Sequence, residues 1–577
     1  MIPLMRIPWF VAAVWLFLAV LVVGQEAAPV NPALEGYRDH ADFSAAVKKL
    51  GDSDLAEVTS LGRSAGGRDV WLITISQGKP AAKPAIAIVG NVHGSHLAGG
   101  ELALRMAEQL IANSEIEEGK KMLERVTLYV IPRPDPDGSE KCFSRPFRVP
   151  AGNDRKTDDD RDFAFGEDPP NDLNGDGFIT QLRIEDPAGT LMLHPDDPRV
   201  LITADPKKSE RSKYRMLTEG IDDDHDEQWN EDAGDGVAFD RNFTFNYRPF
   251  QPNTGPNAVS EPECRAVADF FFDHPQIAAV FTFSLDDNLF HPWKANSQTE
   301  KERIRKNILG SDATAVDYIA EAYRKIHGGS DAPSPPDANG QFSRWSYFHF
   351  GRWSLNARGW WVPKTEAKKG EDAKEKDEEK KDAEKKEEKK PSGEKRGSEQ
   401  INLLNWLAAN KIDGFVDWKE IEHPDFPNQK VEVGGFKPLV DLNPPAAELD
   451  KLAEKHVTFL QKLPDFLPKL ELRDLLVEDL GGNVYRVKVT VANTGYLPTM
   501  PEMGGVNGIP HPLQIEIKLP KDAVYLQGHA RSEINRLPGI TGKSERTWLF
   551  RLPEKLPADF DFKIRAWAPA VGEAVVK

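Results

Sequence analysis

The chain has 577 residues, 39% of them hydrophobic and 29% charged, and carries a formal net charge of -18. That length supports two or three domains with a large buried core, and that mix suits a globular protein rather than a membrane bundle. An acidic surface disfavours nucleic acid and anionic membranes as partners.

Residues 1–24 read as a signal peptide. Arg6 supplies the positive start, Trp9 to Val23 is an unbroken apolar run, and Val22 and Gly24 stand at positions -3 and -1 before Gln25. The run is shorter than the ~20 residues of a spanning helix, so cleavage, export to the periplasm or beyond, and no stable membrane insertion afterwards are expected; an uncleaved anchor is the alternative. The only two cysteines, Cys142 and Cys264, can pair in an exported protein or stay as two buried thiols.

From residue 35 to 140 the pattern alternates. PAIAIVGNVHG is a short apolar run ending in a polar turn, as a buried parallel strand should. GGELALRMAEQLIANS has helical spacing, and RVTLYVIPRPDPDG is a second buried strand with its turn. This rhythm predicts an α/β sheet with function at the carboxyl ends of its strands. Residues 150–235 read as loop-rich and acidic. EPECRAVADFFF then reads as a helix and PQIAAVFTFSL as a third buried strand. Residues 364–400 hold 13 basic and 13 acidic residues, a low-complexity insert that leaves the net charge on the folded parts. INLLNWLAAN is a helix, and a Pro- and Gly-rich stretch runs to about Pro464. Beyond it, NVYRVKVTVANTG, LQIEIKLP, RTWLFRLP and FDFKIRAWAPA alternate at sandwich-like spacing. The division is therefore 1–24 signal peptide, 25–464 α/β domain and 465–577 small β-sandwich.

Acids recur in the loops of residues 158–232. DDDRDFAFGED starts at Asp158 and DDDHDEQWNED at Asp222, and between them Asp172, Asn174, Asp176 and Gly177 match the start of a calcium loop. Alternating oxygens suit a structural calcium ion, with Asp158, Asp160, Asp162, Asp172, Asn174, Asp176, Asp222, Asp224 and Asp226 as candidate ligands. Counting Asp172 as the first, the twelfth position is Arg183 rather than Glu, and the alternative is a solvated acidic loop.

At His93 the chain resembles the zinc carboxypeptidases. GNVHGSHLAGGEL resembles their H-x-x-E zinc segment, LGRSAGGRDVWLITIS their opening strand, and PRPDPDG their NPDG turn. FDRNF resembles their substrate-binding LNRNF, SEPECRAVADF their S-E-P-E-T helix, and WSYFHFGRWSLNARGWW stands where they carry the catalytic strand. These motifs cover residues 35–460 in the family's order. The resemblance implies a mixed sheet of about eight strands flanked by helices, an α/β fold to which this chain adds its sandwich.

It also implies a zinc site of two histidines and a glutamate. His93 takes the first position and His96 stands for the glutamate. For the third histidine the chain offers Phe283, Ser284 and Leu285; Asp286, or else Asp287 or His291, is the replacement that would complete a zinc site with His93 and His96. Arg358 falls at the family's general base, and a guanidinium is no base at neutral pH; it can instead hold a carboxylate or phosphate by two hydrogen bonds. Arg241 and Asn242 match the substrate-binding pair, with Asp240 before them; Arg241 either grips a terminal carboxylate or pairs with Asp240. Arg145, Arg148 and Arg155 are candidates for the family's second arginine. The expected function is a degenerate, exported peptidase relative that binds peptide or protein C-termini or cell-wall peptide. The alternatives are an active enzyme with a rearranged zinc site and an interaction protein working through its sandwich.

Overall fold

The computed structural model describes residues 29–158, 163–225, 227–230, 234, 236–329, 331–364, 396–557, 560 and 562–576. The expected signal peptide, Asp160, Asp162, Asp226 and residues 365–395 of the charged insert lie outside them.

In chain order the structure runs α1 (His40–Lys49), β1 (Ala56–Arg63), β2 (Asp69–Ile75), β3 (Ala85–Val89), α2 (Leu97–Ala112), α3 (Glu117–Arg125), β4 (Thr127–Ile131) and α4 (Pro136–Lys141). Four strands follow: β5 (Gln181–Glu185), β6 (Leu191–Leu193), β7 (Leu201–Thr203) and β8 (Tyr214–Thr218). Then come α5 (Pro262–Asp273), β9 (Ile277–Phe283), α6 (Gly310–His327), α7 (Phe342–Phe348) and β10 (Trp353–Ala357). After the insert lie α8 (Ser398–Asn410), β11 (Phe415–Ile421), β12 (Val431–Phe436) and α9 (Leu449–Phe466).

The central sheet has the order β1-β2-β4-β3-β9-β10, with β4, β3, β9 and β10 parallel and β1 and β2 antiparallel. β3, β4 and β9 are buried along their whole length, which is why each reads as a continuous apolar run. Their side chains alternate between two cores. Ile86, Ile88, Phe281 and Phe283 face one that α2, α6 and α9 cover; Ala87, Val89 and Val280 face another that α5 and α7 cover. Cys142 belongs to the first core and Cys264 to the second, and both are free.

Two features depart from the sequence reading. The central sheet holds six described strands rather than about eight. The region 150–235 is also not only loop: β5–β8 join β11 and β12 in a second, antiparallel sheet of order β11-β12-β5-β8-β6-β7. Its strands come from two segments, the first ending at Thr218 and the second beginning at Phe415, and β6 and β7 have three residues each, too short to show a period.

Beyond α9 are β13 (Leu470–Asp479), β14 (Val484–Asn493), α10 (Glu502–Asn507), β15 (Leu513–Lys518), β16 (Val524–Gln527), β17 (Arg531–Ile534), β18 (Gly542–Arg551), β19 (Lys563–Ala568) and β20 (Gly572–Val576). They form two four-stranded sheets, β13-β14-β18-β16 and β17-β15-β19-β20, over a shared core that includes Val487, Ile515, Trp548, Phe550 and Ile564. Among the described residues no helix is long and apolar enough to cross a membrane.

Candidate functional site at the carboxyl ends of the central strands

The strand order reverses at β3, which lies between β4 and β9, and the chain leaves both β3 and β9 at the edge where such sheets carry their sites. The loop from β3 to α2 is built around Asn91. Its backbone is left-handed (φ 43°), and its side-chain amide donates to the carbonyls of His93 (2.6 Å), His96 (3.1 Å) and Gly94 (3.2 Å). Its side-chain oxygen accepts from Ser139 Oγ at 2.6 Å. A Cβ at Gly90 would sit 2.4 Å from the Pro132 carbonyl oxygen and 2.6 Å from that of Gly99, so only glycine lets the first turn of α2 approach. That turn is stapled from far along the chain: Asn443 Oδ1 accepts the Ala98 N–H at 2.9 Å and its Nδ2 donates to the Ser95 carbonyl at 3.0 Å. Asn443 thus satisfies one of the free N–H groups that open any helix.

His96 is the N-cap residue of α2 and is fully buried, and neither ring nitrogen has a hydrogen-bond partner. Burial holds its pKa down to about 3, helped by the charges of His93 and Arg358; it is a neutral imidazole. His93 Nε2 lies 3.2 Å from Asp240 Oδ2. Burial raises the Asp240 pKa, and His93 opposes the rise. Asp240 Oδ1 accepts the Phe342 N–H at 2.8 Å. Asp240 therefore pairs with His93 rather than with Arg241.

Asp286 does not join the two histidines. It takes a two-point ion pair from Arg344 (Nε to Oδ2 2.7 Å, Nη2 to Oδ1 3.0 Å), with further bonds from Ser343 Oγ (3.2 Å) and Trp293 Nε1 (3.3 Å). Ser284, one of the three positions the resemblance offers for the third histidine, is buried, and its hydroxyl oxygen accepts the Asp286 N–H at 3.1 Å. Asp287 accepts the N–H groups of Leu289, Phe290 and Arg358, and burial lifts its pKa to about 6. The third alternative, His291, is bound to the Ala332 carbonyl at 2.7 Å. Among the described residues no group of three or more His, Cys, Asp or Glu side chains converges as a metal centre. The unpartnered His96 nitrogens could ligate a metal, but each candidate third ligand is committed elsewhere. This donor set does not fit the family's catalytic zinc.

Arg358 follows β10 directly. Ala357 pairs with Phe283, and a Cβ on Gly359 would lie 3.1 Å from the Phe283 ring. On the other side of Phe283, a Cβ on Gly99 would lie 2.9 Å from Phe283 Cβ and 3.4 Å from His96 Nδ1. Arg358 and His96 thus flank one residue at the end of β9. Burial lowers the Arg358 pKa, with Asp287, Asp441 and Glu399 opposing.

Of the substrate-binding candidates, Arg241 is exposed and donates to the Pro252 carbonyl at 2.9 Å. Asn242 is buried and shapes the chain around it, donating to the Asn257 carbonyl and Ser260 Oγ and accepting the Glu261 N–H. Arg155 pairs with Glu261 at 2.9 Å and Arg145 donates to the Pro29 carbonyl at 2.8 Å. A buried acid group that sequence reasoning missed lies beside them. Asn153 Nδ2 donates to both Glu261 and Glu263, burial raises Glu263 to about 8, and Asp135, N-cap of α4, is raised by burial to about 7. The SEPE and PDPDG motifs held these acids; their burial was the part no motif shows.

In the acidic loops, Asp172 accepts the N–H groups of Gly175, Asp176 and Gly177, and Asn174 donates to Asp176 at 2.9 Å. Asp158 accepts the Phe163 N–H and Asp222 the Glu227 N–H.

Residues 469–577 match the model of a domain family of unknown function. Residues 45–181 match the model described as zinc carboxypeptidase. Among curated proteins, carboxypeptidase SOL1 of Arabidopsis thaliana is 34% identical over 123 residues, 20% of this chain and 25% of that one. Carboxypeptidase D of Homo sapiens is 30% identical over 151 residues, 24% and 11% of the two chains. The matched segments span a quarter or less of these relatives. Among solved structures, carboxypeptidase A from Helicoverpa armigera is similar at 14% identity and a TM-score of 0.32, over 56% of this chain and 63% of that one. The segment matched by the zinc carboxypeptidase model includes β1 through β4 and the Asn91–His96 loop, and it is in this segment that the chain is similar to the zinc carboxypeptidase family.

Proposed function

We propose that this is an exported member of the family that binds peptide C-termini, including those of cell-wall peptide, without hydrolysing them. The observation that carries this reading is Arg358. Hydrolysis in such a site needs a carboxylate to take a proton from an activated water. The strand end that would present it presents a guanidinium, and the nearby Asp287 is spent on three backbone N–H groups. The commitment of Asp286 to Arg344 supports the same reading. Export rests on residues 1–24, and a structural calcium ion at the Asp172 loop belongs to the same proposal.

The test is a paired measurement on mature protein incubated with zinc: metal content after dialysis, and release of the last residue from blocked dipeptides beside calorimetric binding of the same peptides. Binding without release is expected. Robust release, abolished by chelation and by His93→Ala, would establish an active enzyme with a rearranged centre.

A further inference from the structure

Among the described residues the side chain of Arg358 has no hydrogen-bond or ion-pair partner. The only hydrogen bond the residue makes among the described residues goes from its backbone N–H to Asp287, and its Nε is buried with no acceptor. Asp287, Asp441 and Glu399 act on it only from beyond the 4.0 Å of an ion pair. Burying that Nε–H without an acceptor costs the fold free energy. Other arginines of this edge have side-chain partners: Arg344 has Asp286, Arg155 has Glu261, Arg241 has a carbonyl, and Arg133 has the Arg38 carbonyl and Glu101, although its Nε and Nη1 also lack acceptors. Arg358 also does not stand alone. Across Phe283 lies His96, fully buried, with both ring nitrogens unpartnered. On the adjacent register pair of β9 and β10, Thr282 Oγ1 and Asn356 Nδ2 are buried and unpartnered too. Unspent hydrogen-bond donors therefore gather where the strands end.

We infer that Arg358, with His96 as a second donor, seats the terminal carboxylate of the ligand, at the position where the family's enzymes keep their base. The inference rests on the peptide-binding reading above and deepens it. A guanidinium fork holds a carboxylate by two parallel hydrogen bonds, a geometry that a lysine or an amide cannot copy. The exposed Arg241, held on the Pro252 carbonyl, is then not the primary carboxylate grip.

The experiment uses the full mature chain, an N-acetylated dipeptide with a free carboxylate, its C-terminal amide, and inorganic phosphate as probes, with Arg358→Met as the variant. The acid should bind and the amide should bind about 10- to 150-fold more weakly, the range for a hydrogen bond to a charged group. Arg358→Met should lose the same factor for the acid and nothing for the amide. Without ligand its melting temperature should equal or exceed that of the unaltered protein, because an unpartnered buried charge has been removed, while the shift given by the acid should vanish. Equal binding of acid and amide overturns the inference, as does unchanged affinity in Arg358→Met. A lower melting temperature of ligand-free Arg358→Met would reveal an internal partner and overturn it as well. Phosphate matching the peptide acid at equal concentration overturns the choice of a carboxylate. Failure of the underlying reading looks different: the acid would be hydrolysed.

Discussion

Asp286 and Arg344, 58 residues apart in sequence, close a two-point ion pair at 2.7 and 3.0 Å, with the guanidinium carbon 4.0 Å from the centre of the Trp293 ring. Asp286 has no exposed surface, so removing its partner strands a carboxylate in the interior. Arg344→Ala is expected to destabilise the fold by about 3–5 kcal/mol, read from the denaturant midpoint. The double change Asp286→Leu with Arg344→Met should cost far less, because no lone charge remains. Equal losses in the two variants would show that the charges are not what couples them.

On the proposed reading, one substitution should not confer catalysis. Arg358→Glu alone is expected to leave the release of C-terminal residues at background, since a general base contributes only about 10²–10⁴-fold and needs an activated water to act on. The fuller reversion adds His96→Glu and Ser284→His. Activity from Arg358→Glu by itself would mean that a metal is already held.

Stability should fall as pH rises through neutrality. Glu263 and Asp135 are held up to about 8 and about 7, both chiefly by burial, above the ordinary values of 4.5 and 3.8. Between the ordinary and the raised pKa the folded chain keeps protons that the unfolded chain releases. Unfolding is then easier at higher pH, by up to about 1.4 kcal/mol per pH unit for each group, until each raised pKa is passed. Glu263→Gln should flatten the slope of unfolding free energy between about pH 5 and 8. An unchanged slope would locate the protons elsewhere.

The sequence made some of this visible and hid the rest for physical reasons. β3, β4 and β9 are legible because burial on both faces leaves only apolar residues. β5 is not, because its partner β12 lies some 250 residues away and the acids around it read as loop. His93, His96 and Arg358 could be placed by their resemblance to the family's motifs. Their present partners could not: Asp240 turns to His93 and Asp286 to Arg344 because of where β9, β10 and α7 pack.

Calcium is expected to raise the melting temperature, since a ligand of the folded state alone stabilises it by mass action. The Asp172 loop already brings Asp172, Asn174 and Asp176 together around Gly177, whose φ is 86°. If neither chelation nor added calcium moves the transition, the three backbone N–H groups on Asp172 are sufficient to hold the loop.

The proposed export predicts a mature chain that begins near Gln25. Mass spectrometry of the secreted material checks it, and an intact Met1 would show an anchor in place of a cleaved leader.

Asn443 fixes the order in which this molecule can be finished. The turn carrying His96 depends on a residue about 345 positions later, beyond the charged insert and both strands of the second sheet's outer hairpin. A ribosome making this protein has therefore already delivered the histidines, the parallel strands and Arg358 before the clamp on Ser95 and Ala98 emerges. At the ~5–20 residues per second of synthesis, the interval from Ala98 to Asn443 lasts tens of seconds. Until it ends, the loop has its side chains but not its clamp, so a chain cut short inside the insert would carry every motif of the site and still lack Asn443.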